Sequence, residues 1–125
     1  GKKSNSHQFN HDCVEFVDWA TALGKEKGCD RLFFCGDWHH NRASISLYTL
    51  TSSLRALEII NERFDRADFI VGNHDLYYRD KRSIASMEWA NHIPNIHIHN
   101  DLYRESDMVM IPWLVQDEYK WYCWC

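Results

Sequence analysis

The chain has 125 residues, of which 45% are apolar and 26% are charged, and its formal net charge is −4. These values are typical of one small soluble globular domain, and no apolar run approaches the roughly 18 residues that a membrane span needs. The first six residues lack the apolar stretch of a signal peptide. The negative charge argues against a broad basic surface that binds nucleic acid. Binding of DNA would therefore need local basic patches or a partner.

Cysteine usage argues against a secreted, disulfide-stapled fold. The chain has five cysteines, an odd number with no regular spacing, whereas secreted frameworks use even numbers. Cys13 and Cys35 fall at predicted core positions, where a thiol behaves as a small hydrophobic group. Cys123 and Cys125 are separated by one tryptophan, which is not a zinc-ligand spacing.

Helical periodicity is the first pattern along the chain. Apolar residues recur at three- and four-residue spacing within residues 8–27, and this predicts a helix that ends near Gly24 and Gly28. The apolar stripe consists of Cys13, Phe16, Val17, Ala20 and Leu23. The continuous apolar run at 32–35 then predicts a parallel strand that is covered on both faces.

A second helix and strand follow in the same order. Residues 46–63 predict a helix, and 69–71 predict a strand. The residues of this helix that would face the sheet are Leu47, Leu50, Leu54, Leu57 and Ile60. This helix–strand–helix–strand alternation predicts parallel βαβ units within one α/β domain that spans residues 1–125.

The last third of the chain predicts shorter elements. Ser83 would cap a short helix that reaches about residue 92, with Ile84 and Met87 inward, and Pro94 would end it. Alternation at 96–99 predicts a half-exposed strand, and 108–111 predict another. The aromatic stretch from residue 116 onward gives no prediction.

Polar loops follow the first two predicted strands. The first loop is Gly36-Asp37-Trp38-His39-His40-Asn41-Arg42, and the second is Gly72-Asn73-His74-Asp75. In open α/β sheets, ligands bind beyond the carboxyl ends of the strands, so the two loops predict one shared site. Their oxygen and imidazole groups suit Mn, Zn or Fe rather than soft metals.

Gly36-Asp37 followed by the loop 72–75 resembles the second and third motifs of the calcineurin-like metallophosphoesterases. His40, Ser44 and the later Ile111-Pro112-Trp113 make the chain most similar to the nuclease subunit of the SbcCD type, in its compact phage form. The resemblance covers residues 1–113. It implies a four-layer αββα fold, two divalent metal ions (Mn²⁺), and exo- and endonuclease activity on DNA in double-strand-break repair and recombination. The implied partners are DNA, an SbcC-like coiled-coil ATPase subunit and a second copy in a homodimer, in the cytoplasm of the host cell.

The resemblance also implies a role for each site residue. A two-metal site clamps a phosphoryl group and requires a carboxylate shared between the ions; Asp37 would be that bridge. Asn73 would donate its amide oxygen to one ion. His74 would stabilise charge or protonate the leaving oxygen, and Asp75 would hold the other nitrogen of its imidazole. His40 would lie beside the substrate and help to position the strand for cleavage.

Each of these residues also has a structural alternative. Asp37 could serve a tight turn or cap a helix, and Asn73 after a glycine is a common turn residue. His74 could be a buried histidine with its hydrogen bonds satisfied. Inside the combined motif, the metal role is favoured for Asp37 and the phosphate role for His74, whereas for Asn73 both roles can hold, because the turn would aim its side chain.

Other polar residues of the region carry weaker signals. His39 is interpreted as a solvated loop histidine, and Arg42 as a surface arginine that could contact a phosphate. His97 and His99 form a His-x-His pair that can bind metal, but the exposed face of a half-buried strand is the favoured interpretation.

Parts of the family pattern are absent from the sequence. The first motif, an Asp-x-His, is missing, and Gly1-Lys2-Lys3 resembles what would follow it. The later metal-binding histidine and the closing Gly-His-x-His are also missing. We therefore expect a partial phosphoesterase domain, truncated at both ends, in which Asp37 and Asn73 are the remaining metal ligands and the isolated chain is weakly active or inactive.

Two alternatives stay open beside the nuclease interpretation. A phosphoesterase that acts on nucleotides or phosphoproteins is the first, although the aromatic loop Leu76-Tyr77-Tyr78-Arg79 favours stacking on bases and hence the nuclease. A non-catalytic scaffold with a degenerate site that binds a partner protein is the second, and the incomplete ligand set favours it.

Overall fold

The computed structural model of the chain describes residues 7–41, 44–78 and 85–122. These residues form a mixed α/β structure. Its helices are α1 (His7–Glu26), α2 (Leu47–Arg63) and α3 (Tyr119–Tyr122), with 3-10 helices at Glu88–His92 and Gln116–Glu118. Its strands are β1 (Arg31–Phe34), β2 (Arg66–Ile70), β3 (Ile96–His99), β4 (Tyr103–Glu105) and β5 (Met108–Met110). Among the residues described, no helix has the length and apolar character needed to cross a membrane.

A parallel three-stranded sheet organises the structure. Its order is β1-β2-β3, with Leu32 opposite Ala67 and Phe69 opposite Ile98. The predicted parallel βαβ units are therefore confirmed. β4 and β5 form a separate antiparallel hairpin; β4 was not predicted, because three residues with two charges among them give no strand signal.

One face of this sheet forms the hydrophobic core under α2. The side chains that alternate toward this face pack against the inner face of the helix, and the packed set includes Leu57, Ile60, Ala67, Phe69, Ile96 and Ile98. Ser46 caps α2, since its Oγ accepts the backbone N–H of Thr49 at 3.2 Å. Such a cap contributes about 1 kcal/mol to helix stability.

The predicted apolar stripe of α2 is correct only in its second half. Leu57 and Ile60 are buried, but Leu47, Leu50 and Leu54 are exposed. The buried positions of this helix include small residues instead, namely Ser53 and Ala56. Hydrophobic periodicity does not detect these positions, because serine and alanine carry no strong apolar signal.

Helix α1 has the predicted extent but not the predicted burial. Phe16 of the predicted stripe is 62% exposed, and Cys13 and Leu23 are also exposed. The buried residues of this helix are Asn10 and Thr21. Polar contacts join α1 to α2. Asn10 Nδ2 donates to Thr49 Oγ1 at 3.3 Å, Arg63 Nη1 donates to Thr21 Oγ1 at 2.7 Å, and Arg63 Nη2 pairs with Asp18 at 2.6 Å.

Strand β1 lies at the edge of the sheet among the described residues, and one of its two faces is open, which corrects the expectation that it is covered on both faces. Phe33 is 45% exposed and Cys35 is exposed. The predicted core positions of Cys13 and Cys35 are therefore wrong. A continuous apolar run does not distinguish a strand buried on both faces from one whose second face is open.

The face of the sheet away from α2 carries a charged cluster. Asp68 of β2 is fully buried and accepts hydrogen bonds from Arg31, Arg66 and His99. Tyr103 lies over the His99 ring, with the ring centroids 4.0 Å apart. Glu105 pairs with Arg31. This cluster fastens the hairpin to the parallel sheet.

The remaining predictions concern the last third of the chain, and the structure confirms some of them. Ser83 and Ile84 lie outside the described residues; within the described part of that segment, Met87 is buried as predicted and a 3-10 helix follows it. The half-exposed strand is confirmed, because Ile96 and Ile98 are buried and alternate with half-buried histidines. The final stretch, which gave no prediction, contains a 3-10 helix and the short α3.

Candidate functional site

The two polar loops meet at two glycines. Gly36 and Asp37 have positive φ angles of 96° and 58°, a conformation that glycine adopts freely and that Asp tolerates better than most residues. The backbone of Gly72 lies so close that a Cβ there would be 2.2 Å from both Asp37 N and Asp37 Oδ1. The first loop is therefore pressed against the second, as the shared-site prediction requires.

Gly72→Ala is expected to destabilise the protein by about 2–3 kcal/mol, because the added methyl group collides with backbone that cannot move independently. Urea unfolding followed by circular dichroism measures the change. Gly24→Ala in α1 is the matched control: its Cβ would lie 3.4 Å from the Phe64 ring, an ordinary contact. We expect the control to be neutral or more stable by up to about 1 kcal/mol. Equal stability of both variants would mean that the loops are not in contact.

Asp75 binds the two loops together through backbone groups. Its carboxylate is 1% exposed. Oδ2 accepts the N–H groups of Gly72 and Asp37 at 2.9 Å and of Trp38 at 3.4 Å. Oδ1 accepts the N–H of His39 at 3.0 Å. One carboxylate thus fixes four backbone donors on two loops.

The sequence predicts that Asp75 holds the imidazole of His74, whereas in the structure its carboxylate accepts backbone N–H groups. In the described residues, Nδ1 of His74 lies 2.9 Å from the backbone oxygen of His40. A carbonyl oxygen only accepts, so Nδ1 carries the hydrogen of this bond. In the neutral ring Nε2 is then a free base, while in the charged ring it is a proton donor. The tautomer is fixed as predicted, but by a carbonyl group instead of a carboxylate.

The structure brings His40 and His74 together. Their ring centroids are 5.2 Å apart, with an interplanar angle of 17°. The backbone N–H of His74 donates to Asp37 Oδ1 at 2.9 Å. At the carboxyl ends of β1 and β2, the carboxylate of Asp37 therefore contacts the backbone of His74, whose imidazole stacks on that of His40.

His39 is buried, which corrects the expectation of a solvated loop histidine. Its Nδ1 lies 3.0 Å from Ser86 Oγ and its Nε2 lies 3.1 Å from Ser53 Oγ. Ser53 Oγ also accepts the indole N–H of Trp38 at 2.6 Å. Burial lowers the pKa of His39, although the charge of Asp75 acts in the opposite direction. His39 thus anchors the first loop to α2, a role that a His-His pair in a polar loop does not signal.

Asp37 and Asn73 were predicted as metal ligands, and their surroundings fit this role in part. Asp37 is exposed, and its contacts within the described residues use Oδ1. Carboxylate and amide oxygens are suitable ligands for Mn²⁺. However, residues 7–41, 44–78 and 85–122 contain no cluster of three or more His, Cys, Asp or Glu side chains arranged to hold a metal ion. The described residues therefore supply oxygen donors without a closed coordination shell.

Other candidate residues are placed as follows. Nε2 of His99 donates to the carboxylate of Asp68 across 2.7 Å and belongs to the charged cluster, and His97 lies on the same half-buried face. The predicted preference for a strand face over a metal pair thus agrees with the structure. Tyr77 and Tyr78 are exposed, with ring centroids 4.8 Å apart. Arg42 and Arg79 lie outside the described residues.

No model of a known protein family matches the chain, and no curated protein matches it significantly. The fold and the site together define an α/β chain whose polar site lies where two loops follow adjacent parallel strands. Its chemistry is argued below from the geometry of that site.

Proposed function

We propose that this chain carries a phosphodiesterase site that uses divalent metal ions, as in a nuclease of the calcineurin-like metallophosphoesterase class with its four-layer fold. The observation that carries the proposal is the junction of the two loops. There Asp37 Oδ1 accepts the N–H of His74 at 2.9 Å, and the ring of His74 stacks on that of His40. Phosphoester hydrolysis needs an oxygen ligand for metal and an imidazole beside it.

Each side chain has a distinct task in this proposal. Asp37 and Asn73 would hold the metal, which supplies Lewis acidity and a hydroxide nucleophile at neutral pH. Nδ1 of His74 is committed to the His40 carbonyl. Its Nε2 is then the atom that protonates the leaving oxygen or stabilises charge on the phosphate. The ring of His40 stacks on that of His74, and His40 positions the substrate. Asp75 acts as a positioning residue, because it fixes the backbone of both loops.

DNA is the proposed substrate, and a coiled-coil ATPase subunit and a second copy of the chain are the proposed partners. The exposed pair Tyr77 and Tyr78 beside the second loop supports the choice of DNA, since aromatic side chains stack on bases. The net charge of −4 means that the whole surface does not attract a phosphate backbone. Metal ions at Asp37 would offset the negative charge where the substrate phosphate lies.

The test combines metal binding with hydrolysis. Calorimetric titration with Mn²⁺ is expected to detect binding by the wild type, and Asp37→Asn should abolish it. With Mn²⁺, slow hydrolysis of bis(p-nitrophenyl) phosphate is expected, and His74→Asn should reduce the rate by about a hundredfold or to background, the usual loss for a proton-transferring residue. His92→Asn changes an exposed histidine outside the site and serves as the control.

A non-catalytic scaffold that binds a partner protein is the second candidate. The lack of a cluster of three or more metal-ligating side chains in the described residues favours it, as do the exposed apolar side chains of α1. A folded wild-type chain that neither binds Mn²⁺ nor hydrolyses the diester would contradict the proposed reaction and favour this alternative. If the chain is active, cleavage of nicked or blunt duplex DNA, compared with mononucleotides, separates a nuclease from a nucleotide phosphoesterase.

A further inference from the structure

A cavity of about 520 Å³ adjoins the candidate site. It lies between α1, α2 and the first loop, and its volume is within the range of small-molecule sites. Its apolar wall comes from Phe34 of β1, Trp38 of the first loop and five residues of α1, namely Phe9, Cys13, Val14, Phe16 and Val17. The same cavity is lined by Asp37, His40 and His74 of the candidate site. A molecule that fills it therefore presents one end to the loop junction.

The charges of the lining exclude an anionic group from the interior. None of the described lining residues is lysine or arginine, whereas Asp12 and Asp37 are both carboxylates. A phosphate would thus be repelled from the cavity itself. An uncharged group fits inside, with any phosphate remaining at the mouth, beside His40 and His74.

Aromatic side chains give the cavity its preference for a flat ring. Phe34 and Trp38 pack edge to face at 5.1 Å and form an ordered inner wall. Phe16, on α1, is 62% exposed and lines the cavity from the opposite element. Such an arrangement suits stacking, which accepts every nucleobase because each has a π face. The amide of Asn10 and the hydroxyl of Ser52 add polar groups that can meet the edge of a base.

We propose that this cavity binds a nucleobase of the phosphoester substrate, stacked against Phe16, while the attached phosphate lies beside His40 and His74. The inference rests on the proposed function, because it names a subsite of the same substrate. It assigns recognition of the nucleobase to α1, a helix that lies outside both loop motifs. An alkyl or other non-planar apolar ligand is the competing occupant, and the tests below distinguish the two.

Cys13 provides a reporter that needs neither metal nor catalysis. Its thiol lines the cavity, and the structure leaves both Cys13 and Cys29 exposed as free cysteines. Deoxyadenosine, a nucleoside without phosphate, is expected to slow alkylation of Cys13 at least severalfold and to leave Cys29 unchanged. Peptide-resolved mass spectrometry measures both rates in the same sample. Equal rates at Cys13 with and without the nucleoside would overturn the proposal.

Removing the stacking ring is the second test. Phe16→Ala is expected to weaken deoxyadenosine binding, measured by NMR titration, by about tenfold, a typical value for one lost stacking partner. Phe33→Ala removes a comparably exposed phenylalanine that does not line the cavity, and it should leave the affinity unchanged. An affinity that Phe16→Ala leaves unchanged, or cyclohexanol protecting Cys13 as well as deoxyadenosine does, would overturn the nucleobase assignment.

These results separate the two proposals. The nucleoside assays use no metal and no phosphoester, so their outcome does not depend on hydrolysis, and His92→Asn, at an exposed position that does not line the cavity, should bind deoxyadenosine like the wild type. Hydrolysis of the diester without nucleoside binding would refute the cavity proposal alone. Nucleoside binding without any Mn²⁺-dependent hydrolysis would support the cavity as a base site and refute the proposed reaction.

Discussion

Asp75→Ala is expected to lower the free energy of unfolding by about 3–5 kcal/mol, because it leaves several buried backbone donors without an acceptor. Three of the four N–H groups that this carboxylate accepts lie within 3.0 Å of it, those of Gly72, Asp37 and His39. Each unsatisfied buried donor costs about 1–3 kcal/mol, and water that enters the space recovers part of that loss. The effect is large because one side chain serves both loops.

Asp75→Asn sharpens the test. An amide keeps one oxygen, which can replace Oδ2 toward Gly72, Asp37 and Trp38, but its NH₂ group then faces the N–H of His39. We expect a loss of about 1–3 kcal/mol, between the wild type and the alanine variant. Urea unfolding at pH 7 measures all three proteins.

Asp37→Asn is the control for the Asp75 variants. The side chain of Asp37 is exposed, its φ angle is positive, and asparagine tolerates that conformation and retains an acceptor for His74. Its stability should stay within about 0.5 kcal/mol of the wild type. If Asp75→Ala proved as stable as this control, the carboxylate would not be what joins the loops.

The position of the site could be predicted because it depends on topology. Two apolar runs, each ended by a glycine and a polar residue, place their loops at the same edge of a parallel sheet. The observed contact between Asp37 and His74 agrees with this expectation. The contacts inside the site could not be predicted in the same way. The partners of Asp75 are backbone N–H groups, and these leave no signature in the sequence.

Helix burial was harder to predict than helix extent. Periodicity identified α1 and α2 almost to the residue, but it assigned an inward direction to Phe16 and Leu47, which are exposed. The α1–α2 contact uses Asn10 and Thr21, whose polar groups bond to Thr49 and Arg63 of α2 and so tolerate burial. A pattern that counts apolar residues assigns such positions to the surface.

Asp68→Asn is the second substitution with a large expected effect, a loss of about 3 kcal/mol at pH 7. The carboxylate is fully buried, and it receives Arg31 at 2.9 Å, Arg66 at 3.0 Å and His99 at 2.7 Å. Without its charge, the guanidinium groups of Arg31 and Arg66 lie on adjacent strands, and among the described residues the remaining carboxylate that pairs with them is Glu105, which contacts Arg31. The arginines are partly exposed, so water limits the loss.

The contribution of Asp68 to the free energy of unfolding decreases as the pH falls. Burial raises the pKa of this carboxyl, but hydrogen bonds from Arg66, His99 and Arg31 and the charge of Arg66 lower it more in sum, so the folded pKa lies well below the ordinary value. A depressed folded pKa stabilises the protein above the unfolded pKa of about 3.9. That stabilisation is lost as the pH falls below about 4 toward the folded pKa.

The difference in unfolding free energy between wild type and Asp68→Asn should therefore be full at pH 7 and 5, and smaller at pH 3. Comparing the two proteins at each pH cancels the titration of the other carboxyls that they share. Glu58→Gln breaks an exposed pair with Arg55, 3.7 Å apart on the surface of α2, and should change stability by less than about 0.5 kcal/mol. A constant difference between pH 7 and 3 would show that Asp68 stabilises the sheet through shape and neutral hydrogen bonds. A difference that shrinks would establish its charge as the link between the hairpin and the parallel sheet.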